Sequence, residues 1–269
     1  MENSENPAQQ LLKLSVSKTK VFAGCKKQFK FSYIQKLPKK DRDYNIVGSF
    51  CHRALEIFHS EYIKGCLLPY NISMADAFKK AYSEFKEKMT PEMKADAKEI
   101  ITNYLQKIYA KQISTSNVLA VEKNFDLPLN EKLIIRGCID KVSLDDDNVL
   151  HVSDYKTTKN VKYLKDDFFQ LATYCYVVWL EDPSIEKVRA SYILLRHNSE
   201  LITKEFGIDE IKKIKAKYED YADQINNETE FPANPTILCN YCDFTEYCEE
   251  GQRQTGQSIV PQKFGEIEY

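Results

Sequence analysis

An acidic turn in the sequence predicts where two carboxylates meet. Residues Asp145–Asn148 separate two runs rich in Val, Ile and Leu, a pattern typical of a hairpin. With the turn centred near Asp147, Asp140 and Asp154 lie seven residues on either side of the centre and face each other. Directly opposed side chains have Cβ atoms roughly 5 Å apart. Because strand side chains alternate, Lys156 projects to the same side as Asp154.

These three residues favour metal-dependent hydrolysis of a phosphodiester. Two ionised carboxylates this close repel each other, so the pair requires a cation between them or a proton on one acid. Carboxylate oxygens that leave coordination positions for water suit Mg²⁺ or Mn²⁺. The ammonium of Lys156 can then orient or deprotonate a water molecule, or stabilise charge that builds on a phosphate. An isolated D-x-K, however, occurs by chance in most proteins, and a single strand Asp is usually solvated.

Three further motifs accompany the D-x-K sequence. In chain order the four motifs are Gly48-x3-His52, Gly137-x-Ile139-Asp140, Asp154-x-Lys156 and Gln170-x3-Tyr174. In this order they resemble the PD-(D/E)xK nuclease superfamily, in particular the RecB-like branch that includes the nucleases of CRISPR adaptation and the AddB nuclease. The resemblance covers most of the chain. It implies a restriction-endonuclease-like α/β fold, in which helices flank a small mixed sheet, with a helical roof over the site and a Cys-rich C-terminal segment.

The resemblance also assigns roles to single residues. It implies that His52, Asp140 and Asp154 bind the metal, with the carbonyl group of Tyr155 as a further ligand, and that Lys156 is the catalytic lysine. Without the family, His52 is equally well explained as a hydrogen-bonded helix histidine. The other histidines match no motif and are interpreted as structural: His59, His151 and His197.

Gln170 and Tyr174 complete the expected catalytic set. They lie one helical turn apart, and the resemblance implies that they hold Lys156 or a substrate phosphate. Outside this family the pair would be interpreted as a boundary residue and a half-buried tyrosine. Two acids are weaker candidates: Glu56 can position the helix histidine or add charge, and Glu122 can simply lie at the edge of its strand.

A cluster of cysteines predicts a second metal centre. Cys239, Cys242 and Cys248 place three thiols within ten positions, and thiolates so spaced bind Zn²⁺ or an iron–sulfur cluster. The residues alone leave both open. The resemblance adds Cys25 as the fourth ligand and implies a structural [4Fe–4S] cluster, although two lysines follow this cysteine where the family commonly has Pro and Arg. The other cysteines are expected to be small core residues: Cys51, Cys66, Cys138 and Cys175.

Composition favours a soluble globular protein. Of the 269 residues, 43% are hydrophobic and 29% charged, and 8 Gly and 9 Pro exclude collagen-like and low-complexity classes. The first ten residues lack the basic start and apolar core of a secretory signal, and the longest apolar run, Tyr174–Leu180, is too short to span a bilayer. We therefore expect a cytoplasmic protein without a membrane partner, in which thiols stay reduced.

A basic segment predicts a DNA-binding surface. The net charge of −2 and the pI near 6.2 carry no global nucleic-acid signature. Residues 13–42, however, contain ten basic residues and one acidic residue, with aromatic residues between them. Such a surface can neutralise phosphates and stack bases; the alternative is a solvated helix face over a buried aromatic stripe. The residues concerned are Lys18, Lys20, Lys26, Lys27 and Lys30 with Phe22, Phe29, Phe31 and Tyr33.

Apolar periodicity predicts the elements that position these residues. We expect helices at 15–33, 48–63, 74–88, 91–112, 165–180 and 208–226, and strands at 118–127, 132–144, 149–157, 187–195 and 201–206. They are expected to form one nuclease domain, 1–269. Its parts are the basic segment and helical roof at 13–115, the catalytic α/β core at 116–231, the cysteine cluster segment at 232–252 and a tail at 253–269.

The expected function is a Mg²⁺- or Mn²⁺-dependent deoxyribonuclease, with a single-stranded DNA exonuclease as first choice. Single-stranded DNA would pass between the helical roof and the sheet. The sequence has no Walker A loop, so unwinding would require a helicase partner. DNA repair, recombination, phage DNA processing and CRISPR adaptation with its own protein partners fit equally well. The alternatives are an endonuclease or flap nuclease, and a non-catalytic iron–sulfur subunit that binds DNA.

Overall fold

Helices and strands follow one another in the order that apolar periodicity predicts. The computed structural model describes residues 11–40, 43–63, 73–115 and 117–257. In chain order the elements are β1 (Leu12–Leu14), α1 (Val16–Gly24), α2 (Lys26–Phe29), α3 (Asp43–Ile63), α4 (Met74–Phe85), α5 (Pro91–Tyr109), β2 (Val118–Asn130), β3 (Leu133–Leu144), β4 (Leu150–Lys156), α6 (Phe169–Glu181), β5 (Lys187–Leu194), β6 (Glu200–Gly207), α7 (Ile208–Asn226) and α8 (Glu249–Thr255). They belong to two compact units, a terminal unit (residues 1–41 and 218–269) and a central unit (residues 42–217).

The central unit contains a mixed sheet, as predicted. In it, β3 pairs with β2 and β4 in antiparallel orientation, β4 is parallel to β5, and β5 is antiparallel to β6. The parallel pair is connected through α6, the kind of crossover that parallel strands require. Lys141 pairs with Ser153 and Leu144 with Leu150. The hairpin register is therefore the one that a turn centred on residue 147 predicts.

Buried apolar faces hold the central helices in place. Cys51, Leu55 and Phe58 form an apolar stripe along α3 and are at most 4% exposed. The helix α5 begins with Pro91 in its first turn, where a missing N–H costs nothing, and the Thr90 hydroxyl accepts the Met93 N–H. A run of eight buried residues in α6 explains why this helix lacks a polar face.

Local chemistry accounts for the differences from the predicted elements. The predicted helix 15–33 is divided, because Cys25 has an extended backbone between α1 and α2. A 3₁₀ turn precedes α6, which begins at Phe169 instead of 165. Neither β1 nor α8 was predicted, because both are too short for a periodic pattern. Left-handed Gly256 ends α8 three residues into the segment expected to be a tail. Cys66 and residues 258–269 lie outside the described residues.

The aromatic residues of the basic segment are mostly core residues of the terminal unit. Phe22, Phe29 and Phe31 are at most 5% exposed. Phe31 packs against Phe244 with ring centroids 5.9 Å apart. Burial of such rings stabilises a fold by roughly 1.5–3 kcal/mol each, which explains their spacing without a ligand. The expectation that these three rings stack bases is wrong, and the alternative of a buried aromatic stripe is correct.

The lysines between these rings contact groups of the same unit. Nζ of Lys26 lies 2.5 Å from Glu228, and Nζ of Lys27 lies 2.9 Å from Glu250. Lys18 donates to the carbonyl of Lys13 at 2.8 Å, and Lys30 lies over the Phe231 ring. DNA binding by these lysines and Lys20 stays a prediction. Among the described helices, none combines the length and apolarity that crossing a bilayer requires.

Candidate active site

Three acidic residues form a row across adjacent strands. In the β2–β3 ladder, Val121 pairs with Lys141 and Lys123 with Ile139, so Glu122 lies opposite Asp140. The β3–β4 register, extended by one residue, places Asp140 beside Asp154. Asp140 is 7% exposed and Asp154 is 3% exposed. Like charges this close and this buried require positive charge nearby.

A histidine of α3 completes a set of possible metal ligands. His52 Nδ1 lies 3.4 Å from Asp140 Oδ1 and 3.9 Å from Glu122 Oε1. One ligand atom from each of these residues lies within 4.8 Å of the other two. Imidazole nitrogen and carboxylate oxygen are donors that suit a divalent cation such as Mn²⁺. The three side chains therefore fit a metal ion, and Glu122 belongs to the set although its sequence position did not indicate it.

Electrostatics at His52 are consistent with a cation site. Burial disfavours the imidazolium, but contacts with Asp140 and Glu122 and the charge of Asp154 outweigh it and raise the pKa of His52 to about 10. Glu122 itself has a backbone φ of +43°, a conformation that costs about 1–3 kcal/mol for a residue other than glycine. The fold maintains this strain at the residue whose carboxylate faces His52.

A hydrogen-bond network fixes the lysine of the D-x-K motif. Lys156 Nζ donates to Gln170 Oε1 at 2.8 Å and lies 2.6 Å from Asp154 Oδ2. Gln170 Nε2 donates to Asp154 Oδ1 at 2.8 Å and to the Tyr174 hydroxyl at 2.9 Å. Burial, opposed by Lys156, raises the pKa of Asp154. The structure thus brings the four predicted residues together, with Gln170 at the centre of the network.

Tyr155 contacts the site through its backbone and its ring. Its N–H donates to Asp140 Oδ2 at 2.5 Å, which orients that carboxylate. Its ring packs edge-on to His52 with centroids 5.7 Å apart, and its hydroxyl lies 3.2 Å from the hydroxyl of buried Tyr104. The role of its carbonyl as a metal ligand stays a prediction.

Other candidates lie outside the ligand set. Glu56 forms an ion pair with Arg53 at 2.8 Å. Cys138 is half-buried instead of a core residue, and its thiol donates to Glu122 Oε2 at 3.3 Å. Buried His59 lies 2.7 Å from the Tyr104 hydroxyl, which agrees with a structural role. So do the contacts of His151 with Asp145 and Ser191 and of His197 with the carbonyl of Lys159.

A close approach explains the glycine of the first motif. A Cβ added at Gly48 would lie 2.8 Å from Oγ1 of Thr157, which directly follows the D-x-K strand. A Cβ at this position would therefore require the Thr157 side chain to rotate or α3 to move away from the end of β4. His52 lies four residues further along the same helix, so its position depends on this contact.

We expect Gly48→Ala to lower the free energy of unfolding by about 1 kcal/mol, because an overpacked contact costs about 1–3 kcal/mol and alanine recovers up to about 1 kcal/mol of this inside a helix. Thr157→Ala removes the clashing oxygen and leaves a Cβ 3.9 Å away, so the double variant should regain most of the loss. Urea unfolding of the wild type, both single variants and the double variant measures this coupling. If Thr157→Ala does not restore stability to Gly48→Ala, the close-packing explanation is contradicted.

The terminal unit brings together the four cysteines of the predicted second metal centre. They line one cavity: Cys25, Cys239, Cys242 and Cys248. The backbone N–H groups of Asn234 and Gly251 donate to the sulfurs of Cys25 and Cys248, at 3.5 Å and 3.4 Å. Four thiols that line one cavity suit a tetrahedral zinc ion or an iron–sulfur cluster.

Comparison with known proteins identifies one family. The family model of the PD-(D/E)XK nuclease superfamily matches residues 13–249. The chain is similar to the crystal structure of a protein from Eubacterium rectale that is provisionally named an exonuclease, with a TM-score of 0.52 and 14% identity over 98% of this chain and 96% of that chain. A second structure, SSO0001, has a TM-score of 0.31 and 19% identity over 82% of this chain and 93% of that chain. No curated protein matches the sequence.

Proposed function

The chain belongs to the PD-(D/E)XK nuclease superfamily, and on this basis we propose that it is a Mg²⁺- or Mn²⁺-dependent deoxyribonuclease that degrades single-stranded DNA from an end. The observation that supports cleavage most is the row of Glu122, Asp140 and Asp154 beside a lysine held by hydrogen bonds. The proposal includes membership of the RecB-like branch and a cytoplasmic location. Repair, recombination, phage DNA processing or CRISPR adaptation would be its context, with a helicase or an adaptation protein as partner.

The proposed mechanism assigns separate tasks to the two halves of the site. His52, Glu122 and Asp140 would hold the divalent cation, with Asp154 and the carbonyl of Tyr155 as further ligands. When bound, such a cation polarises a phosphate oxygen and favours deprotonation of water at neutral pH. The chain itself excludes bulk water from Asp140 and Asp154 by burial, which would strengthen the attraction between these carboxylates and a cation.

Lys156 supplies positive charge to the scissile phosphate. Its ammonium is anchored by Gln170 and by Asp154, so no side-chain freedom is lost when the substrate binds. An ammonium has three N–H donors, and the one that remains can donate to a phosphate oxygen as negative charge develops there. The hydroxyl of Tyr174 keeps the Gln170 side chain in the rotamer in which it contacts both Lys156 and Asp154.

Cleavage of end-labelled single-stranded DNA by EDTA-treated protein, before and after addition of Mg²⁺ or Mn²⁺, tests the proposed function. We expect degradation only with the metal, and a loss of at least about a hundredfold in Asp154→Ala. Substrates blocked at the 5′ end, blocked at the 3′ end or closed into a circle distinguish the modes. Cleavage of the circle would identify an endonuclease, and no cleavage of any substrate with either metal would favour a non-catalytic subunit.

Replacement of Gln170 tests the positioning of the lysine. In Gln170→Ala, Lys156 and Asp154 lose a shared partner while the backbone of α6 is unchanged, so we expect the single-turnover rate to fall about ten- to a hundredfold. Tyr174→Phe removes only the hydroxyl that accepts from Gln170 and should cost less. If Tyr174→Phe is the more damaging variant, the network serves substrate binding and not the lysine. Urea unfolding of both variants shows whether the fold is retained.

We further propose that the four cysteines of the terminal unit hold a [4Fe–4S] cluster with a structural role. Two observations support it: the four cysteines line one cavity, and the sulfurs of Cys25 and Cys248 accept backbone N–H groups. Hydrogen bonds of this kind stabilise cluster sulfurs and tune their potential. Structural Zn²⁺ is the alternative, and iron and zinc analysis of the purified protein distinguishes the two.

A further inference from the structure

The connection between β4 and α6 is long, and both of its ends lie in the candidate active site. Because β4 ends at Lys156 and α6 begins at Phe169, twelve residues (157–168) form this connection, the lysine loop. Connections between a strand and a helix usually have about 2–6 residues, and longer ones are commonly functional. Lys156 Nζ donates to Gln170 Oε1 at 2.8 Å, so the loop leaves the site and returns to it.

Three lysines project from the first part of the lysine loop. Lys159, Lys162 and Lys165 are all exposed, and residues 157–165 contain no acidic residue. Within the described part of the chain, the three ammonium groups form no ion pair and no hydrogen bond. In this they differ from two lysines of the basic amino-terminal segment, which pair with glutamates. The lysine loop therefore presents positive charge that is available to a ligand.

The two acidic residues of the lysine loop lie at its far end. Asp166 and Asp167 directly precede α6, where the helix dipole stabilises negative charge, and Asp167 accepts the Phe169 N–H at 3.2 Å. The loop thus contains three cations and two anions, and the anions are adjacent to the helix. The excess of positive charge is greatest at Lys159 and Lys162, the lysines that follow the D-x-K strand.

Contacts at several points hold the lysine loop against the rest of the central unit. Leu164 is 1% exposed and anchors its middle. His197 Nε2 lies 3.1 Å from the carbonyl oxygen of Lys159, and the Tyr192 hydroxyl donates to the carbonyl of Asp167 at 3.0 Å. A backbone that is already ordered loses little entropy when a ligand binds to its side chains.

Chain length limits how far these lysines can lie from the catalytic lysine. A chain spans at most about 3.3–3.6 Å per residue, so the Cα atom of Lys159 lies within roughly 11 Å of that of Lys156, and the Cα atom of Lys162 within roughly 22 Å. Successive phosphates of one strand are about 3.4 Å apart along the axis of B-DNA. These distances therefore cover only a few nucleotides on one side of the site.

We propose that the lysine loop binds the phosphate backbone of the DNA strand beside the phosphate that is cleaved. The inference rests on the proposed function, because it places the bound strand relative to the cleavage site. Lysine ammonium groups neutralise phosphates and position a strand without reading its bases. The loop holds the strand across Lys156, and the counterions released on binding make the affinity depend on salt.

Anisotropy of a fluorescent single-stranded oligonucleotide, titrated with the full chain in EDTA, measures binding without metal-dependent cleavage. The test variant carries Lys159→Gln, Lys162→Gln and Lys165→Gln. We expect its affinity at about 50 mM NaCl to fall about ten- to a hundredfold. The slope of log K against log [NaCl] should become shallower by about 2, since each phosphate contact with a single strand contributes about 0.7. Oligothymidine and a mixed sequence should lose affinity equally, because phosphate contacts carry no sequence information.

The matched control removes the same charge from exposed lysines outside the loop, with Lys111→Gln, Lys187→Gln and Lys213→Gln. Lys187 begins β5, whose other end at Leu194 pairs with Lys156. Distant exposed charges are screened by salt, so we expect the control to keep the salt slope of the wild type and its affinity within about twofold. Equal losses in both variants would overturn the proposal, because binding would then depend on net charge alone.

This binding assay and the cleavage assay fail separately. If the wild type binds through the lysine loop but degrades no DNA with Mg²⁺ or Mn²⁺, the proposed nuclease function is wrong and the loop is still a DNA-binding surface. If the wild type cleaves DNA and the loop variant binds it with unchanged affinity and salt slope, the role of the loop is refuted and the nuclease function is retained. No measurable binding by the wild type at about 50 mM NaCl refutes it as well. Thermal unfolding confirms that each variant is folded.

Discussion

Replacement of Asp140 by asparagine is expected to abolish cleavage, by on the order of a thousandfold, while the protein remains folded. The loss corresponds to several kcal/mol of charge stabilisation that a bound cation supplies. Asparagine has the same shape, and its side-chain oxygen can still accept the Tyr155 N–H. What it removes is the negative charge at the middle of the row between Glu122 and Asp154. Single-turnover cleavage with saturating Mn²⁺ measures the effect.

A binding measurement separates loss of the metal from loss of the fold. A cation that binds only the folded state raises the thermal midpoint of the wild type, and we expect Asp140→Asn to lose this rise. Asp126→Asn is the matched control, because it removes an exposed carboxylate of β2 that pairs with Arg136 at 2.8 Å. Wild-type cleavage in Asp140→Asn, or an unchanged response to Mn²⁺, would show that the row of carboxylates is not the metal site.

The part of the site that depends on one short turn could be predicted from the sequence. The acidic residues between β3 and β4 have a clear centre, and a register with a known centre determines every opposing pair. The pairing of Lys141 with Ser153 agrees with that calculation. Gln170 and Tyr174 could likewise be grouped, because a helix brings positions four apart onto one face.

The role of Glu122 could not be predicted, because it depends on a second turn without a clear signal. Residues 131–132 connect β2 to β3, and the register shifts by one residue between Pro128 and Asn130. A shift of one residue moves every side chain to the other face, so the facing of Glu122 and Asp140 required the structure. The burial of Phe22 and Phe29 could not be predicted either, because a sequence in which aromatic residues alternate with lysines is compatible with both a buried and an exposed aromatic stripe.

Cys239→Ser is expected to produce a protein that lacks iron and the brown colour of a cluster, and in which the terminal unit unfolds more readily. Cys25 and Cys239 are separated by 213 residues. Closing a loop of this length by a covalent link stabilises a fold by roughly 5 kcal/mol in the chain-entropy account, and metal binding in such a centre is coupled to folding. Iron analysis, visible absorbance and thermal unfolding followed by two probes measure the change.

Cys175→Ser is the matched control, because it alters a fully buried thiol of α6 outside the cysteine cluster. It should lower stability through the core and leave iron content unchanged. The metal content of the wild type also distinguishes the two metals. A colourless wild type that contains one zinc per chain would contradict the iron–sulfur cluster, and the four cysteines would then hold a structural zinc ion. If Cys239→Ser keeps both its metal content and its stability, the four clustered cysteines do not link the two ends of the chain through a metal centre. The terminal unit would then be stabilised by the packing of Phe31 on Phe244 and by ion pairs such as Lys27 with Glu250.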